Sequence, residues 1–199
     1  MAQAVAILAE TFFSSSASCC VAFIFPSPAP DLEMTEEGAW DATLEEWVIS
    51  EGYCYAAGMA QREDGAFYAA APVADEAGWG LIYKEDHEED IEQDDGSKKK
   101  MTISEGTQLK KLVEDGKPPE GGIWFCGEKY TVTQWKPDED VGEEKCFWAL
   151  GAAPKKGVHI AASKSQIVVG FYSDEKGQSS GNCKKTVLAY AGYLLGEGY

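Results

Sequence analysis

Apolar residues recur at helical spacing in the segment that begins at Trp40. Four of them stand at positions i, i+4, i+7 and i+8: Trp40, Leu44, Trp47 and Val48. This is the one-sided stripe of an amphipathic helix. Gly52 follows, and glycine is common just beyond a helix C-terminus. The pattern predicts a helix over residues 40–48 that buries both tryptophans beside Leu44.

Short apolar runs separated by turn residues follow this helix. The first two runs, 53–60 and 66–71, flank Asp64-Gly65, which supplies the positive φ that a tight reversal needs. Five more runs continue the pattern: 123–126, 130–135, 146–150, 158–162 and 167–172. Runs of this length are typical of strands. The sequence therefore predicts an antiparallel sheet of about seven strands.

Three further segments have helical periodicity. Residues 75–83 predict a short helix, and Ser104 stands at the cap of a helix that Gly116 ends. The last helix begins near Asn182 and carries an apolar stripe: Val187, Leu188, Ala191, Leu194 and Leu195. Helices at both ends of a sheet predict an α+β sandwich in which the first and last helices share one sheet face.

The first 33 residues have a different character. They contain no Lys or Arg, and their two apolar patches, 4–9 and 19–25, are far shorter than the roughly 20 residues of a membrane span. Three interpretations remain: a disordered tail, a gene model that extends beyond a true start at Met34, or an unusual targeting peptide. We expect residues 34–199 to form the folded domain and residues 1–33 to be dispensable for folding.

Residues 85–95 are strongly acidic, since eight of the eleven are Asp or Glu. Like charges repel one another, so we expect a solvated, mobile insertion whose deletion leaves the fold intact. Calcium binding is the alternative. However, a calcium loop that opens at Asp90 would have Asp95 where glycine is needed and Met101 where the closing acid belongs. The pattern disfavours a metal site.

The overall charge limits the classes of partner. The chain has 17 Lys and Arg against 34 Asp and Glu, which gives a net charge of −17. Nucleic acids and anionic membranes require clustered basic residues, so neither is an expected partner, and stable membrane insertion is not expected either. Six scattered cysteines without a C-x-x-C pair favour a reducing cytoplasm over a disulfide framework.

The sequence does not predict an enzyme. Its only histidines are His87, in the acidic segment, and His159, in a predicted strand where a structural role is favoured. The glycines are scattered and form neither a phosphate loop nor a dinucleotide fingerprint. We therefore expect neither catalytic residues nor a cofactor.

Tyr193 is the candidate functional residue that periodicity itself indicates. The stripe of the last helix is centred between Val187 and Leu188, and at 100° per residue Tyr193 lies about 160° from that centre. A large ring is therefore predicted to face solvent. Single exposed aromatic residues are common, so a binding role requires further aromatic residues beside it.

Four motifs in order resemble the profilin family. They are Trp40 in the first helix, Asp-Gly-x-x-Tyr-Ala at 64–69, Gly-x-Lys-Tyr at 127–130, and Tyr-Leu-x-x-x-Gly-Tyr at 193–199. The acidic segment and the C-terminal region are most similar to the profilins of apicomplexan parasites. The resemblance covers residues 34–199 and implies the same α+β sandwich.

The resemblance also implies two binding surfaces. Aromatic residues of the first helix, first hairpin and last helix form a poly-proline groove in profilins, and the matching positions are Trp40, Tyr68, Tyr193 and Tyr199. Thr43 replaces an aromatic residue that many profilins have. The opposite surface binds monomeric actin, with candidates Lys129, Tyr172, Lys184 and Lys185. Lys184 and Lys185 are equally compatible with a purely solubilising role.

We therefore expect a cytoplasmic, cytoskeletal protein that binds actin monomers and proline-rich proteins such as formins, and so regulates polymerisation. Phosphoinositides are a further partner class that the sequence leaves open. Two alternatives remain: a released, parasite-type profilin sensed by host pattern-recognition receptors, and a sandwich domain that binds a small molecule in an internal pocket.

Overall fold

The computed structural model describes residues 36–92, 98–119 and 121–199. The four α-helices of this part are α1 (Glu36–Leu44), α2 (Trp79–Ile82), α3 (Glu105–Asp115) and α4 (Ser180–Gly196). The nine strands are β1 (Ala56–Gln61), β2 (Phe67–Ala71), β3 (His87–Glu92), β4 (Lys98–Ile103), β5 (Ile123–Phe125), β6 (Glu128–Val141), β7 (Glu144–Ala153), β8 (Lys156–Ala162) and β9 (Gln166–Ser173). The predictions for residues 1–33 lie outside the described residues.

Seven strands form one antiparallel sheet in the order β2-β1-β9-β8-β7-β6-β5. Each of its faces is covered by helix. Residues of α3 pack on one face of the sheet and form the first apolar cluster. Residues of α1 and α4 pack on the other face and form the second. The predicted α+β sandwich, with the first and last helices on one face, is therefore confirmed.

The first helix continues into a π-helical turn over Glu45–Ile49, in which the Ser50 N–H donates to the Glu45 carbonyl at 2.9 Å. Leu44 and Val48 are fully buried, as periodicity predicts. The expected burial of Trp47 is wrong, because its side chain is 37% exposed. Trp40 is only partly buried. The apolar stripe is thus narrower than the sequence suggested.

Two acidic side chains of the first helix attach it to the edge of the sheet. Asp41 Oδ1 accepts the Ala70 N–H at 2.8 Å, and Glu45 Oε2 accepts the Val73 N–H at 3.0 Å. Because β2 is an edge strand, its outward N–H groups would otherwise be open to pairing with another chain. The Asp41 bond fixes α1 against β2, and the Glu45 bond fixes the π-helical turn against the residues just after β2.

Strands β6 and β7 extend well beyond their predicted ends and form a long hairpin beside α4. Val141 packs at the position where a Cβ on Gly192 would stand. Nearer the sheet, Glu139 pairs with Lys184 of α4 at 2.5 Å and with Lys136 at 2.7 Å. The sequence does not predict the longer β6, because the added residues are mostly polar and exposed and do not alternate with apolar ones.

The acidic segment is partly structured, which corrects the expectation of a solvated insertion. Its residues 87–92 form β3, which pairs with the lysine-bearing strand β4 so that Asp90 stands opposite Lys100. Opposite charges in facing positions stabilise such a pair. Ile91 is only 6% exposed and packs with Ile103 and Trp124. The five residues 93–97 lie outside the described residues.

We expect Ile91→Ala to lower the free energy of unfolding by about 2 kcal/mol, because it removes buried methyl groups from this small cluster. Asp90→Ala is the control, since Asp90 is exposed on the same strand and its loss should cost under about 0.5 kcal/mol. Urea unfolding of both variants measures the difference. Equal midpoints for the two would show that the hairpin contributes nothing to the core.

The predicted cap of α3 is only partly correct. Ser104 occupies the N-cap position, but its side chain forms no bond to the backbone there. Its hydroxyl instead accepts from Thr107 Oγ1 at 3.1 Å. Gly116 ends the helix at φ 61°, in the left-handed region that glycine favours. Within the described ranges, every helix is too short or too polar to cross a bilayer.

Candidate functional site: an aromatic surface between the first and last helices

Three rings from distant parts of the chain meet where α1, β2 and the C-terminus converge. The ring of Trp40 meets Tyr199 edge-on at 5.2 Å between centroids, and Tyr68 in the same way at 6.4 Å. The chain end is fixed here because the Tyr199 N–H donates to the Leu194 carbonyl at 2.9 Å and its carbonyl accepts from the Lys164 N–H at 3.2 Å. The structure therefore brings three of the four predicted poly-proline residues into direct contact.

The fourth, Tyr193, stacks on a tryptophan that periodicity assigned to the core. Its ring lies 4.9 Å from that of Trp47 with an interplanar angle of 24°. Tyr193 is 39% exposed, as its place on the helix predicted, and Tyr199 is 41% exposed. We call the five residues Trp40, Trp47, Tyr68, Tyr193 and Tyr199 the aromatic surface. Each of the two ring groups contains a tryptophan from the first helical segment and a tyrosine from α4 or from the residues just after it.

A sequence signal for Trp47 did exist. On a wheel at 100° per residue, Trp40 and Trp47 lie at about 0° and −20°, whereas Leu44 and Val48 lie at about 40° and 80°. The tryptophans thus mark one edge of the stripe. Thr43 adds no ring, and its hydroxyl donates to the Ala39 carbonyl at 2.7 Å.

The hydroxyls of Tyr68 and Tyr193 are kept protonated. Burial raises the pKa of Tyr68, with a further contribution from Tyr199, and its hydroxyl donates to Gln166 Oε1 at 2.8 Å. Burial also raises the pKa of Tyr193, as do the neighbouring Glu197, Tyr199 and Glu46. Tyr193 therefore presents a neutral phenol that can donate a hydrogen bond at physiological pH.

Two of the four predicted actin-binding residues, Tyr172 and Lys184, lie in a second region, near the start of α4. Tyr172, His159 and Trp148 form a row of stacked rings across β9, β8 and β7, with centroids 5.7 Å and 5.8 Å apart. Lys184 Nζ lies 3.7 Å from the Trp148 ring centroid, which is within cation–π range. The structure thus places Tyr172 and Lys184 at the two ends of one row.

The other two residues of this set are placed differently. Lys129 is exposed on β6, opposite Trp124 of β5. Lys185 is exposed on α4 beside Lys184. Neither contacts the row of rings, so direct packing unites only half of the predicted set.

His159 has a structural place within that row. Trp148 Nε1 donates to His159 Nδ1 at 3.2 Å, so the proton of the neutral ring is on Nε2, which lies 3.1 Å from Ser180 Oγ. Burial lowers the pKa of His159 to about 4, and the Ser180 hydrogen bond only partly opposes this. The ring is neutral at pH 7 and joins the sheet to α4.

Comparison with known proteins identifies the family. The chain matches the sequence profile of the Profilin family over residues 38–199. It is 32% identical to a Plasmodium falciparum profilin over 164 residues, which cover 79% of this chain and 95% of the relative.

Solved structures show the same fold. Acanthamoeba castellanii profilin Ia superposes with a TM-score of 0.57 at 17% identity, and the match covers 81% of this chain and 100% of that one. Mouse profilin IIa, solved in complex with a double repeat from the FH1 domain of mDia1, gives a TM-score of 0.51 at 14% identity, covering 81% and 99%. This protein therefore belongs to the profilin family and is of the apicomplexan type.

Proposed function

We propose that this protein binds monomeric actin and proline-rich segments, such as those of formins, and thereby regulates actin polymerisation in the cytoplasm and cytoskeleton. The aromatic surface is the observation that carries the proposal. We assign this function to residues 34–199 and propose that residues 1–33 are dispensable for the folding of that domain. The proposed activity is binding, without a catalytic step or cofactor.

A polyproline II helix suits the aromatic surface for physical reasons. It is already extended and stiff, so binding it costs little conformational entropy. Proline rings pack against flat aromatic faces. Trp40 and Tyr68 are only partly buried and Tyr199 is 41% exposed, so each side chain keeps accessible surface. The phenol of Tyr193 can donate to a free proline carbonyl. The complex of mouse profilin IIa supports this choice, since a protein of the same fold holds a double repeat from the FH1 domain of mDia1.

Trp47 supplies ring surface that the threonine at position 43 does not. Its stacking on Tyr193 extends the aromatic surface beyond the group around Trp40. We therefore propose Trp47 as a fifth residue of the proline-binding surface.

Tyr193→Ala should weaken decaproline binding by about 1 kcal/mol or more, the usual threshold for an important interface residue. Because the ring is exposed, the melting temperature should change little. Titration with decaproline, followed by intrinsic tryptophan fluorescence, measures the affinity of the wild type and of Tyr193→Ala. Trp40 and Trp47 report binding because both lie in the proposed site. Trp47→Ala should also weaken decaproline binding.

Tyr53→Ala is the matched control, because Tyr53 is a tyrosine of similar exposure, 38%, outside the aromatic surface. It should bind decaproline like the wild type. The proposed groove is wrong if the wild type shows no saturable change, or if Tyr193→Ala binds as tightly as Tyr53→Ala.

Actin binding is proposed for the region of Lys129, Tyr172, Lys184 and Lys185. The net charge of −17 gives little electrostatic attraction to an acidic partner such as actin, so we expect modest affinity that higher ionic strength leaves unchanged or improves. Micromolar excess of the protein should slow spontaneous actin polymerisation in a pyrene fluorescence assay. An unchanged time course would remove the main proposed function.

Two substitutions in this region distinguish a direct contact with actin from a structural role: Lys185→Ala and Lys184→Ala. Lys185 is exposed, so its loss can act only on the partner. Lys184 also holds Glu139 and Trp148, so its loss should lower the melting temperature as well. If Lys185→Ala slows polymerisation as strongly as the wild type, Lys185 has only a solubilising role.

A further inference from the structure

Two cysteines that are far apart in the sequence meet beneath the first turn of α4. Cys54 lies in the connector between the π-helical turn and β1, and Cys183 lies in α4. Their sulfur atoms are 3.0 Å apart, and both thiols are free. Cys54 is 2% exposed and Cys183 is 0% exposed. The pair is not part of either proposed binding surface.

Both sulfur atoms lie against Gly170 of β9. A Cβ on this glycine would stand 3.4 Å from Cys54 Sγ and 3.6 Å from Cys183 Sγ, which is ordinary van der Waals contact, and only 2.4 Å from Val187 Cγ2. The Cys183 thiol donates to the Gly170 carbonyl at 3.4 Å. On the connector side, Gln178 Nε2 donates to the Gly52 carbonyl at 2.9 Å. Both partners are therefore preorganised for each other.

We propose that Cys54 and Cys183 form a redox modification site that closes to a reversible disulfide when the protein meets hydrogen peroxide. The sulfur of Cys54 attacks one peroxide oxygen, the O–O bond breaks, and a sulfenic acid and one water form. The sulfur of Cys183 then attacks the Cys54 sulfur, the S–O bond breaks, and a second water leaves with the remaining thiol proton. The two sulfurs together lose two electrons, and the peroxide gains them.

Cys54 is the first to react because its connector adjoins the exposed residues 50–53, whereas Cys183 lies under the helix. The hydrogen bond from Cys54 and burial both raise the pKa of Cys183. The folded pair should therefore resist alkylation by iodoacetamide and react with a small oxidant only as the connector opens. Cys126 is the described cysteine with the most exposure, and its thiol donates to the Gly80 carbonyl at 2.8 Å instead.

Closure would join the segment behind α1 to α4 across 129 positions of sequence. A cross-link over so long a loop restricts the unfolded chain, so the melting temperature should rise by roughly 5 to 10 °C. Dithiothreitol should reverse the rise. The cross-link also fixes the turn of α4 that carries Lys184 and Lys185.

The test treats the full chain with excess hydrogen peroxide, removes the peroxide with catalase, denatures and alkylates the protein, and maps unreduced peptides by mass. The expected result is a peptide pair joined through Cys54 and Cys183, lighter by two hydrogens and separated by dithiothreitol. Cys183→Ser should abolish both the pair and the melting shift, whereas Cys146→Ser should retain both.

The wild-type map decides the matter even if a variant folds poorly. The proposal is overturned if Cys54 and Cys183 are recovered as free thiols or as sulfinic and sulfonic acids. It is equally overturned if either is joined to another cysteine, including Cys19 and Cys20 near the N-terminus.

Discussion

Glu105→Ala is expected to destabilise the protein by about 3 to 5 kcal/mol, which is exceptional for a single substitution. Glu105 is fully buried at the start of α3. Its Oε2 accepts the N–H groups of Lys84 at 2.9 Å and Cys126 at 3.1 Å, and its Oε1 accepts that of Gly127 at 2.7 Å. Alanine would leave three backbone donors without their acceptor.

The physical reason is that one carboxylate joins three segments: the chain after α2, the first turn of α3, and the turn between β5 and β6. Burial raises the pKa of Glu105, and the three backbone hydrogen bonds oppose that rise. Glu105→Gln should also cost several kcal/mol, because its amide places a donor against a backbone N–H.

Glu114→Ala is the matched control on the same helix. Glu114 is exposed and pairs with Lys110 of the same helix at 3.7 Å, so its removal should cost under about 0.5 kcal/mol. Thermal melts should separate the two variants by roughly 10 °C. If Glu105→Ala and Glu114→Ala have the same melting temperature, the Glu105 carboxylate does not hold these segments together.

The second large effect is a loss of stability in mild acid through His159. Burial lowers the pKa of this residue from 6.5 to about 4 in the folded protein. The unfolded chain therefore binds a proton first as the pH falls, and the stability that is complete above pH 6.5 is lost on the way down to about pH 4. From these two values, the free energy of unfolding falls by about 2 kcal/mol between pH 7.5 and pH 5, and by about 3 kcal/mol by pH 4.

His159→Gln isolates this contribution, because glutamine keeps one acceptor and one donor but does not titrate in this range. The wild type should lose about 2 kcal/mol more than the variant between pH 7.5 and pH 5 in urea unfolding. His87→Gln is the control, since His87 is the other histidine of the chain. A pH dependence equal in wild type and His159→Gln would contradict the assignment.

The sequence by itself determined the elements with a strong period and the general architecture. The stripe of the last helix predicted the burial of Val187 and Leu194 and the exposure of Tyr193, and all three were confirmed. Asp64-Gly65 predicted the first hairpin, in which Gly65 has a φ of 77°. These features follow from local periodicity and backbone sterics, so they can be predicted without knowledge of distant neighbours.

Only the tertiary structure decided which residues gather at a site. Trp47 stands at the edge of the apolar stripe, but its stacking partner Tyr193 comes from α4, and no local pattern in the first helix encodes that partner. The acidic segment forms β3 because three lysines stand on the facing strand and Ile103 and Trp124 cover Ile91. Repulsion within the segment, on which the expectation of a solvated insertion rested, is outweighed by these cross-strand contacts.

The same reason applies to the buried groups. Glu105 and the pair Cys54 and Cys183 each depend on atoms that come from segments far away in the chain. Hydrogen bonds and thiol contacts of this kind form only after helices and strands have packed, and they carry no period in the sequence. The sequence therefore determined the kinds of elements and the family, and the packing of those elements decided the aromatic surface, the buried carboxylate and the thiol pair.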